Sequence, residues 1–179
     1  MTYEGKIEGK FVDLISCTED DAEFTIALRK DPELGKFFPA VDNTVEQQKN
    51  WIKGQRQKPG DYFFVVWNKK GERIGTIGLY GIEDGVGEGG RIIFRDANPY
   101  EVSEAQLLVD RFGFDVLGLK LITGSVFADN SRALKFSKKF SGRLFEPEKD
   151  SEGRLVVRVE TNPEEFREID ERISKILYH

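Results

Sequence analysis

Apolar and polar positions along the chain predict a succession of short strands and amphipathic helices. Apolar or alternating runs predict strands at 11–15, 62–67, 73–80, 89–94, 121–127, 143–147 and 155–160. Helical spacing of apolar residues predicts helices after Thr18, after Thr44 and after Pro99, and at 133–140 and 163–178. The order is β-α-α-β-β-β-α-β-α-β-β-α. Because hairpins accompany one β-α-β crossover, we expect a mixed sheet in an α/β (α+β) fold.

The last predicted helix has a strong start signal and an apolar stripe. Asn162 fits the N-cap and Pro163 the first turn, and the stripe that follows consists of Phe166, Ile169, Ile173 and Ile176. Such a stripe is buried either against its own chain or in a homodimer, and both remain open. We expect a single domain over residues 1–179, with 162–178 as an added C-terminal helix.

The composition excludes several kinds of chemistry. The 179 residues carry a net charge of -5, so the chain lacks an overall basic footprint for nucleic acid or an anionic membrane. With one cysteine and one histidine, it offers no intramolecular disulfide, no Cys/His zinc site and no imidazole base in the fold. No apolar run approaches the ~18 residues of a membrane span, and no signal peptide is evident. We expect a cytoplasmic protein whose proton transfers use carboxylates, Tyr, Lys, Ser or water.

The strand–loop–helix unit at 89–117 has the pattern of an anion site. A strand leads into Arg95, and a short loop then leads into the first N–H groups of a helix around 100–103. Unpaired backbone donors and the positive helix end favour a phosphate there. An ordinary β–α junction has the same pattern, so this unit alone does not decide.

Several segments occur in an order that resembles a known family. They are Leu14, Glu19–Glu23, Leu28–Leu34, Thr44–Ile52, Ile74–Leu79, Glu88–Ile93, Glu104–Ala105, Phe114–Lys120 and Asn130–Leu134. Together they resemble the GNAT superfamily of acyl-CoA-dependent N-acyltransferases over residues 9–160, most of all its ribosomal-protein N-acetyltransferase branch. The resemblance implies a mostly antiparallel six- to seven-stranded sheet flanked by helices. It also implies a sheet splayed between the family's fourth and fifth strands, here 89–94 and 121–127.

The resemblance also implies a site for acetyl-CoA. The pantetheine arm would pair with backbone groups of Ile92, Ile93 and Phe94 at the edge of the fourth strand. The remaining cofactor contacts would come from Arg95, Asn98, Tyr100, Glu101, Val102, Ser103 and Asn130. Asn130 would serve equally well as the N-cap of the next helix.

The expected pyrophosphate loop departs from the family pattern. Both of its glycines are absent, and Asn98 is the residue best able to replace one of them at positive φ. Tyr100 adds bulk, while Asp96 and Glu101 add negative charge. Three interpretations remain open: altered CoA binding, a bulkier or different acyl donor, or a decayed site in a non-catalytic module that binds a small ligand or a protein partner.

The resemblance implies transfer of acetyl to a primary amine by direct attack. Glu88 is the candidate base, although a solvated strand-end Glu is an equal alternative. Ser137 stands where relatives carry a Tyr acid, and at most it would hydrogen-bond the CoA sulfur. A backbone N–H near Ile92–Ile93 would polarise the thioester, and Gly89–Gly90 are candidates for a bulge.

The expected acceptor is a small-molecule or peptide amine: a protein N-terminus, a polyamine, an amino acid or antibiotic, or an amino sugar. We expect it to enter over the first two helices. The aromatic residues that could line its path are Phe37, Phe38, Trp51, Tyr62 and Tyr80. The basic run 132–139 is either a solvated helix face or a partner for the adenosine phosphates.

Overall fold

The computed structural model describes residues 2–179, which form nine strands and five α-helices. The strands are β1 (Lys6–Glu8), β2 (Val12–Ser16), β3 (Tyr62–Asn68), β4 (Arg73–Glu83), β5 (Val86–Phe94), β6 (Leu121–Phe127), β7 (Arg143–Leu144), β8 (Glu148–Lys149) and β9 (Leu155–Thr161). The helices are α1 (Ala22–Lys30), α2 (Val45–Gln57), α3 (Pro99–Arg111), α4 (Ser131–Phe140) and α5 (Pro163–Leu177). A 3₁₀ turn at Glu19–Asp21 precedes α1, and a π turn at Phe112–Val116 extends α3.

All nine strands belong to one mixed sheet. Its order is β1-β2-β3-β4-β5-β6-β9-β7, and β8 also pairs with β9. Every pairing is antiparallel except β5 with β6, which is parallel and spans only three residue pairs. The crossover from β5 to β6 runs through α3. The mixed, mostly antiparallel sheet is as predicted, but it has nine strands rather than six or seven because β1 and the short strands at 143–149 add edges.

Helices cover both faces of the sheet. One core lies between the sheet and α3 and α5, and its buried members include Leu14, Phe64, Ile77, Leu107 and Phe166. A smaller core lies under α1 and α2 around Ile52, Phe63 and Val65. Adjacent β3 residues point to opposite faces, so a continuous apolar run fits a strand that is covered on both sides.

Reciprocal capping boxes define the starts of three helices. Thr44 and Gln47 cap α2, Asn98 and Glu101 cap α3, and Asn162 and Glu165 cap α5. In each box the N-cap side chain accepts the N3 amide, and the N3 side chain accepts the N-cap amide. Because these bonds are local, the helix starts predicted after Thr44 and at Pro163 are confirmed, whereas α3 begins at Pro99 itself and not after it.

Two apolar stripes end differently in the structure from what helical spacing predicts: that of the last helix, and that of the helix after Pro99, which consists of Ala105, Leu108, Val109, Phe112 and Val116. Val116 is 65% exposed, since the π turn adds a residue to the last turn and brings Phe114 to the core instead. Ile176 is 60% exposed, and Leu177 completes the stripe of α5. That stripe packs against the same chain, where Phe166 stacks on Phe114 with ring centroids 4.9 Å apart.

Among residues 2–179, none of the helices combines the length and the apolar character required to cross a bilayer.

Candidate active site

The sheet opens between β5 and β6. Val86, Gly87 and Glu88 pair with Leu121, Ile122 and Thr123, and beyond Glu88 the two strands have no further pairs. On the other side, Gly89, Gly90, Ile93 and Phe94 keep their pairs with β4. One backbone edge of this segment therefore lacks a partner strand. The predicted splay between these strands is confirmed, and such an edge suits the amide groups of a pantetheine arm.

A bulge in β5 lies next to the opening. Between the pairs Thr76–Ile93 and Gly78–Gly90, β4 has one residue and β5 has two, so β5 carries one extra residue. Arg91, one of these two, has a φ of 56°. A non-glycine residue at positive φ costs roughly 1–2 kcal/mol, so surrounding contacts must hold Arg91 there. A bulge was predicted at Gly89–Gly90, but both glycines keep their pairs with β4, and the bulge and the positive φ fall one residue later, at Arg91.

Glu88 lies at the apex of the opening. It is the last residue of β5 that pairs with β6, and it is opposite Tyr80 on β4. Burial and then the Glu88 carboxylate raise the pKa of Tyr80 to about 12, so Tyr80 stays neutral at physiological pH. A Cβ at position 90 would collide with the Tyr80 hydroxyl, so any side chain there would displace the Tyr80 ring from its place beside Glu88. The apex therefore presents an exposed carboxylate beside a neutral phenol.

A cavity of about 260 Å³ lies between α1, α2, the loop at 31–44 and the sheet. It is lined by Thr25, Ile26, Arg29, Phe38, Val41, Asn43, Gln48, Trp51, Phe63, Thr76, Arg91 and Ile93. Because Arg91 and Ile93 lie on β5, the cavity adjoins the strand that also borders the opening. This is the side from which the acceptor was expected, and the cavity suits a small molecule or the end of a larger one.

The predicted aromatic residues divide between the cavity and the core. Phe38 and Trp51 line the cavity. Tyr80 lies beside it, with its ring centroid 4.2 Å from the Arg91 guanidinium carbon. Tyr62 packs edge-on against Phe112 in the core. Phe37 packs near Phe127, away from the cavity lining.

A buried ion pair holds Arg91. Its two terminal nitrogens donate to the two oxygens of Asp61 at 2.6 and 3.0 Å. Gln55 on α2 donates to the same carboxylate at 3.0 Å. Trp51 and Phe63 each have a ring centroid 5.2 Å from the guanidinium carbon. These contacts fix the strained residue and bring its charge to the cavity wall.

Arg29 is the second arginine of the cavity. One terminal nitrogen donates to the Pro39 carbonyl at 2.9 Å, and the guanidinium lies 5.1 Å from the Phe38 ring centroid. Its buried Nε has no hydrogen-bond partner within residues 2–179. Burial, and to a lesser degree the positive charge of Arg91, lower the pKa of Arg29.

The start of α3 differs from the expected phosphate cradle. Asn98 has a φ of -85°, not a positive one; the positive φ, 57°, belongs to Asp96. Asn98 instead accepts the Glu101 amide at 3.0 Å, and the Glu101 carboxylate accepts the Asn98 amide at 2.8 Å. Two donors of this turn are therefore already used. The prediction of positive φ at Asn98 is wrong because Asn98 acts as the N-cap.

The neighbouring expected cofactor residues make contacts of their own. Arg95 lies 5.4 Å from the Phe24 ring centroid. Tyr100 is half exposed beside Phe11. The backbone of Val102 bonds back to Asn98. Ser103 lies in the same first turns, partly buried, so these residues still surround the end of β5 where a pyrophosphate would lie.

A buried carboxylate anchors α3 in this position. Glu104 is fully buried and accepts the backbone N–H groups of Lys10, Phe11 and Val12 and the hydroxyl of Tyr178. It thereby ties α3 to the β1–β2 turn and to the end of α5.

Helix α4 holds the remaining predicted site residues. Asn130 is its N-cap and accepts the Ala133 amide at 3.1 Å. Ser137 is partly buried on the same helix. The basic side chains of α4 are exposed; they are Arg132, Lys135, Lys138 and Lys139. The structure brings Glu88 and residues 92–94 together along β5, with residues 95–103 following directly, while Asn130 and Ser137 approach from beyond β6.

Sequence reasoning did not single out Arg29, Asp61 or Arg91 as site residues. The one local signal was the position of Arg29, three and four residues after the buried Ile26 and Thr25, on the face of α1 that is turned inward. The pairing of Asp61 with Arg91 depends on sheet register and has no local signal.

The comparisons with known proteins agree with this geometry. The sequence matches the family described as "Acetyltransferase (GNAT) domain" over residues 12–142. The chain belongs to the GNAT acetyltransferase family. Members of this family use acetyl-CoA as the acyl donor. No match to a curated protein was found.

Solved GNAT structures share the fold at low sequence identity. A GCN5-related N-acetyltransferase from Brucella melitensis is 18% identical, with a TM-score of 0.82 over 98% of this chain and 86% of that one. FdhC, a nucleotide-linked sugar GNAT solved in its apo form, is 22% identical, with a TM-score of 0.79 over 97% and 98%. A Vibrio cholerae protein described as a ribosomal-protein-serine acetyltransferase is 18% identical, with a TM-score of 0.74 over 91% and 100%.

Two features at the end of β5 bear on the expected acetyl-CoA site. The edge of residues 89–94 leaves backbone groups without a partner strand, as pairing with a pantetheine arm would require. The N-terminus of α3 still directs its dipole toward the end of β5, although the Asn98–Glu101 box uses two of its donors.

Proposed function

We propose that this protein transfers the acetyl group of acetyl-CoA to a primary amine by direct attack, in the cytoplasm and with no nucleic acid or membrane partner. The observation that carries the proposal is the arrangement around β5. The unpaired edge of β5 borders the opening, and Glu88 lies at the apex of that opening. Arg91 and Ile93 of the same strand line the cavity. An acceptor in the cavity and a thioester in the opening would thus meet at this strand.

Glu88 has the role of base in this proposal. An alkyl amine is protonated at neutral pH because its pKa is about 10.4. Glu88 accepts that proton, directly or through water, and leaves the nitrogen lone pair free to attack. When bound, acetyl-CoA supplies the activated carbonyl: the C–N bond forms, the C–S bond breaks, and CoA leaves as the thiol with the proton that the attacking nitrogen loses. A backbone N–H of Ile92 or Ile93 would stabilise the negative charge that develops on the carbonyl oxygen.

The test is release of CoA thiol with a panel of amines. Glu88→Gln is expected to lower kcat/KM by roughly 100-fold or more near neutral pH, the usual contribution of a general base. The defect should shrink as the pH approaches the pKa of the amine, because the acceptor then loses its proton unaided. Glu83→Gln is the matched control, since Glu83 is also exposed on the same hairpin. Equal rates for Glu88→Gln and the wild type would remove Glu88 from the mechanism.

Asn130 and Ser137 enter the proposal as residues that contact CoA from α4. Asn130→Ser keeps a good N-cap and removes the amide, so it separates capping from cofactor contact. We expect a raised KM for acetyl-CoA with little loss of stability. Ser137→Ala should change kcat by only a few-fold, because a hydroxyl is a weak acid.

A second candidate is a non-catalytic ligand-binding module. The capping box of α3 favours it, since Glu101 places a carboxylate where the family binds a pyrophosphate. Thermal-shift titration with CoA and acetyl-CoA decides between the two functions. Saturable stabilisation at micromolar ligand supports the enzyme, whereas no shift up to about 1 mM leaves the module.

A further inference from the structure

We propose that the acceptor is an amine that carries an anionic group, and that Arg29 and Arg91 bind this group in the cavity. The inference rests on the proposed acetyl transfer and narrows its acceptor to amines with a carboxylate or a phosphate. It rests on an imbalance of charge: two guanidinium groups line the cavity, and no carboxylate is among the twelve lining residues.

The two arginines are not equivalent. Arg91 is neutralised by Asp61, which lies behind it and also accepts from Gln55. Arg29 forms no ion pair with any residue of 2–179, and its polar contact is to the neutral Pro39 carbonyl. The cavity therefore keeps about one positive charge without compensation.

That charge is unfavourable as the protein stands. Burial and repulsion by Arg91 both oppose the protonated form of Arg29. Its Nε is enclosed and donates to nothing within the described chain. An oxyanion between the two arginines would relieve the repulsion and accept from their terminal N–H groups. A guanidinium matches carboxylate and phosphate oxygens through paired N–H donors.

The other walls define what accompanies the anion. Asn43, Gln48 and Thr25 form a polar side, in which Gln48 already donates to Thr25 and accepts from Asn43. Trp51 and Phe38 form an apolar side. A polyamine would bring further positive charge next to two arginines, so this acceptor class is disfavoured.

The experiment compares matched acceptors that differ in one charge. Amino acids are offered as free acids and as carboxamides, and ethanolamine is offered with and without its phosphate. The wild type is expected to prefer the anionic member of a matched pair at least tenfold in kcat/KM. The preference should hold for free acid against carboxamide, for phosphoethanolamine against ethanolamine, or for both comparisons. Arg29→Gln should lower kcat/KM at least tenfold more for the anionic acceptors than for their neutral counterparts and so abolish the preference, and Arg29→Lys should restore part of it.

Two controls exclude other roles of Arg29. Lys30→Gln removes the same charge from the next residue of α1, which is exposed and does not line the cavity, so the preference should persist. If Arg29 served only to anchor the loop through Pro39, Arg29→Gln would slow neutral and anionic acceptors alike, and the proposal would be overturned.

Binding without turnover separates this inference from the proposed function. In a Trp67→Phe background, Trp51 is the single tryptophan and reports on the cavity. N-acetylglycine or O-phosphoethanolamine should change its fluorescence, and N-acetylglycinamide or ethanolamine should do so at least tenfold more weakly. Arg29-dependent binding without any acetyl transfer would leave the anion site at Arg29 and Arg91 standing, and it would refute the enzyme and with it the role of the ligand as acceptor. No response to either anion up to about 10 mM would refute the inference, whatever the catalytic result.

Discussion

Replacing Glu104 by glutamine tests whether one buried carboxylate fixes α3 against the first hairpin. One carboxylate oxygen accepts from the Phe11 and Val12 amides at 2.7 and 2.9 Å. The other accepts from the Lys10 amide at 3.0 Å and from the Tyr178 hydroxyl at 2.8 Å. A glutamine keeps one oxygen but turns its NH₂ group toward the other two donors, so a donor faces a donor.

The expected loss follows from these four bonds. Tyr178 can rotate its hydroxyl and accept from the new amide, whereas the Lys10 N–H cannot. The remaining bonds also lose their charge assistance. One to two charge-assisted bonds are therefore lost, about 2–4 kcal/mol. For a chain of this size about 2–4 °C accompanies each kcal/mol, so the melting temperature should fall by roughly 5–15 °C.

Circular dichroism during thermal and urea unfolding measures the effect. Tyr178→Phe removes one donor and should cost about 1 kcal/mol. Glu168→Gln changes the same charge at an exposed position of α5 and should cost less than about 0.5 kcal/mol. If Glu104→Gln were as mild as Glu168→Gln, the proposed role of the carboxylate as an anchor for α3 would be refuted.

Three further predictions concern charge. Glu101→Gln preserves a capping box but removes a negative charge near the expected pyrophosphate. Calorimetry should therefore show CoA binding two- to fivefold tighter, a gain of roughly 0.5–1 kcal/mol. Glu165→Gln, in the equivalent box of α5, is the control and should leave CoA binding unchanged. Asp61→Asn should destabilise the fold by about 3 kcal/mol in urea unfolding, because Arg91 loses its buried partner. Burial raises the pKa of Asp110 to about 7. Its unfolded pKa is near 3.9, so wild-type stability should fall between about pH 4 and 7 and change little above, and Asp110→Asn should lose this dependence.

Local interactions explain which parts of the fold were predictable. The capping boxes at Thr44 and Asn162 act within four residues, and β6 was predicted with its observed bounds at 121–127. The order of motifs also indicated the family and hence the splay between β5 and β6. By contrast, β1 was missed because a three-residue strand has no periodicity of its own and forms only by pairing with β2.

The charged groups of the site depended on the tertiary structure. From sequence, Arg29 belongs to a helix and Arg91 to a strand, and nothing relates them. Sheet register places Asp61 behind Arg91, the bulge turns residue 91 to positive φ, and the packing of α1 brings Arg29 to the same cavity. Local pattern thus determined most of the elements, and the ordered motifs indicated the family, whose resemblance implied the acyl donor. The uncompensated charge of the cavity was decided only by long-range packing, since an ion pair depends on distance in space and not on separation along the chain.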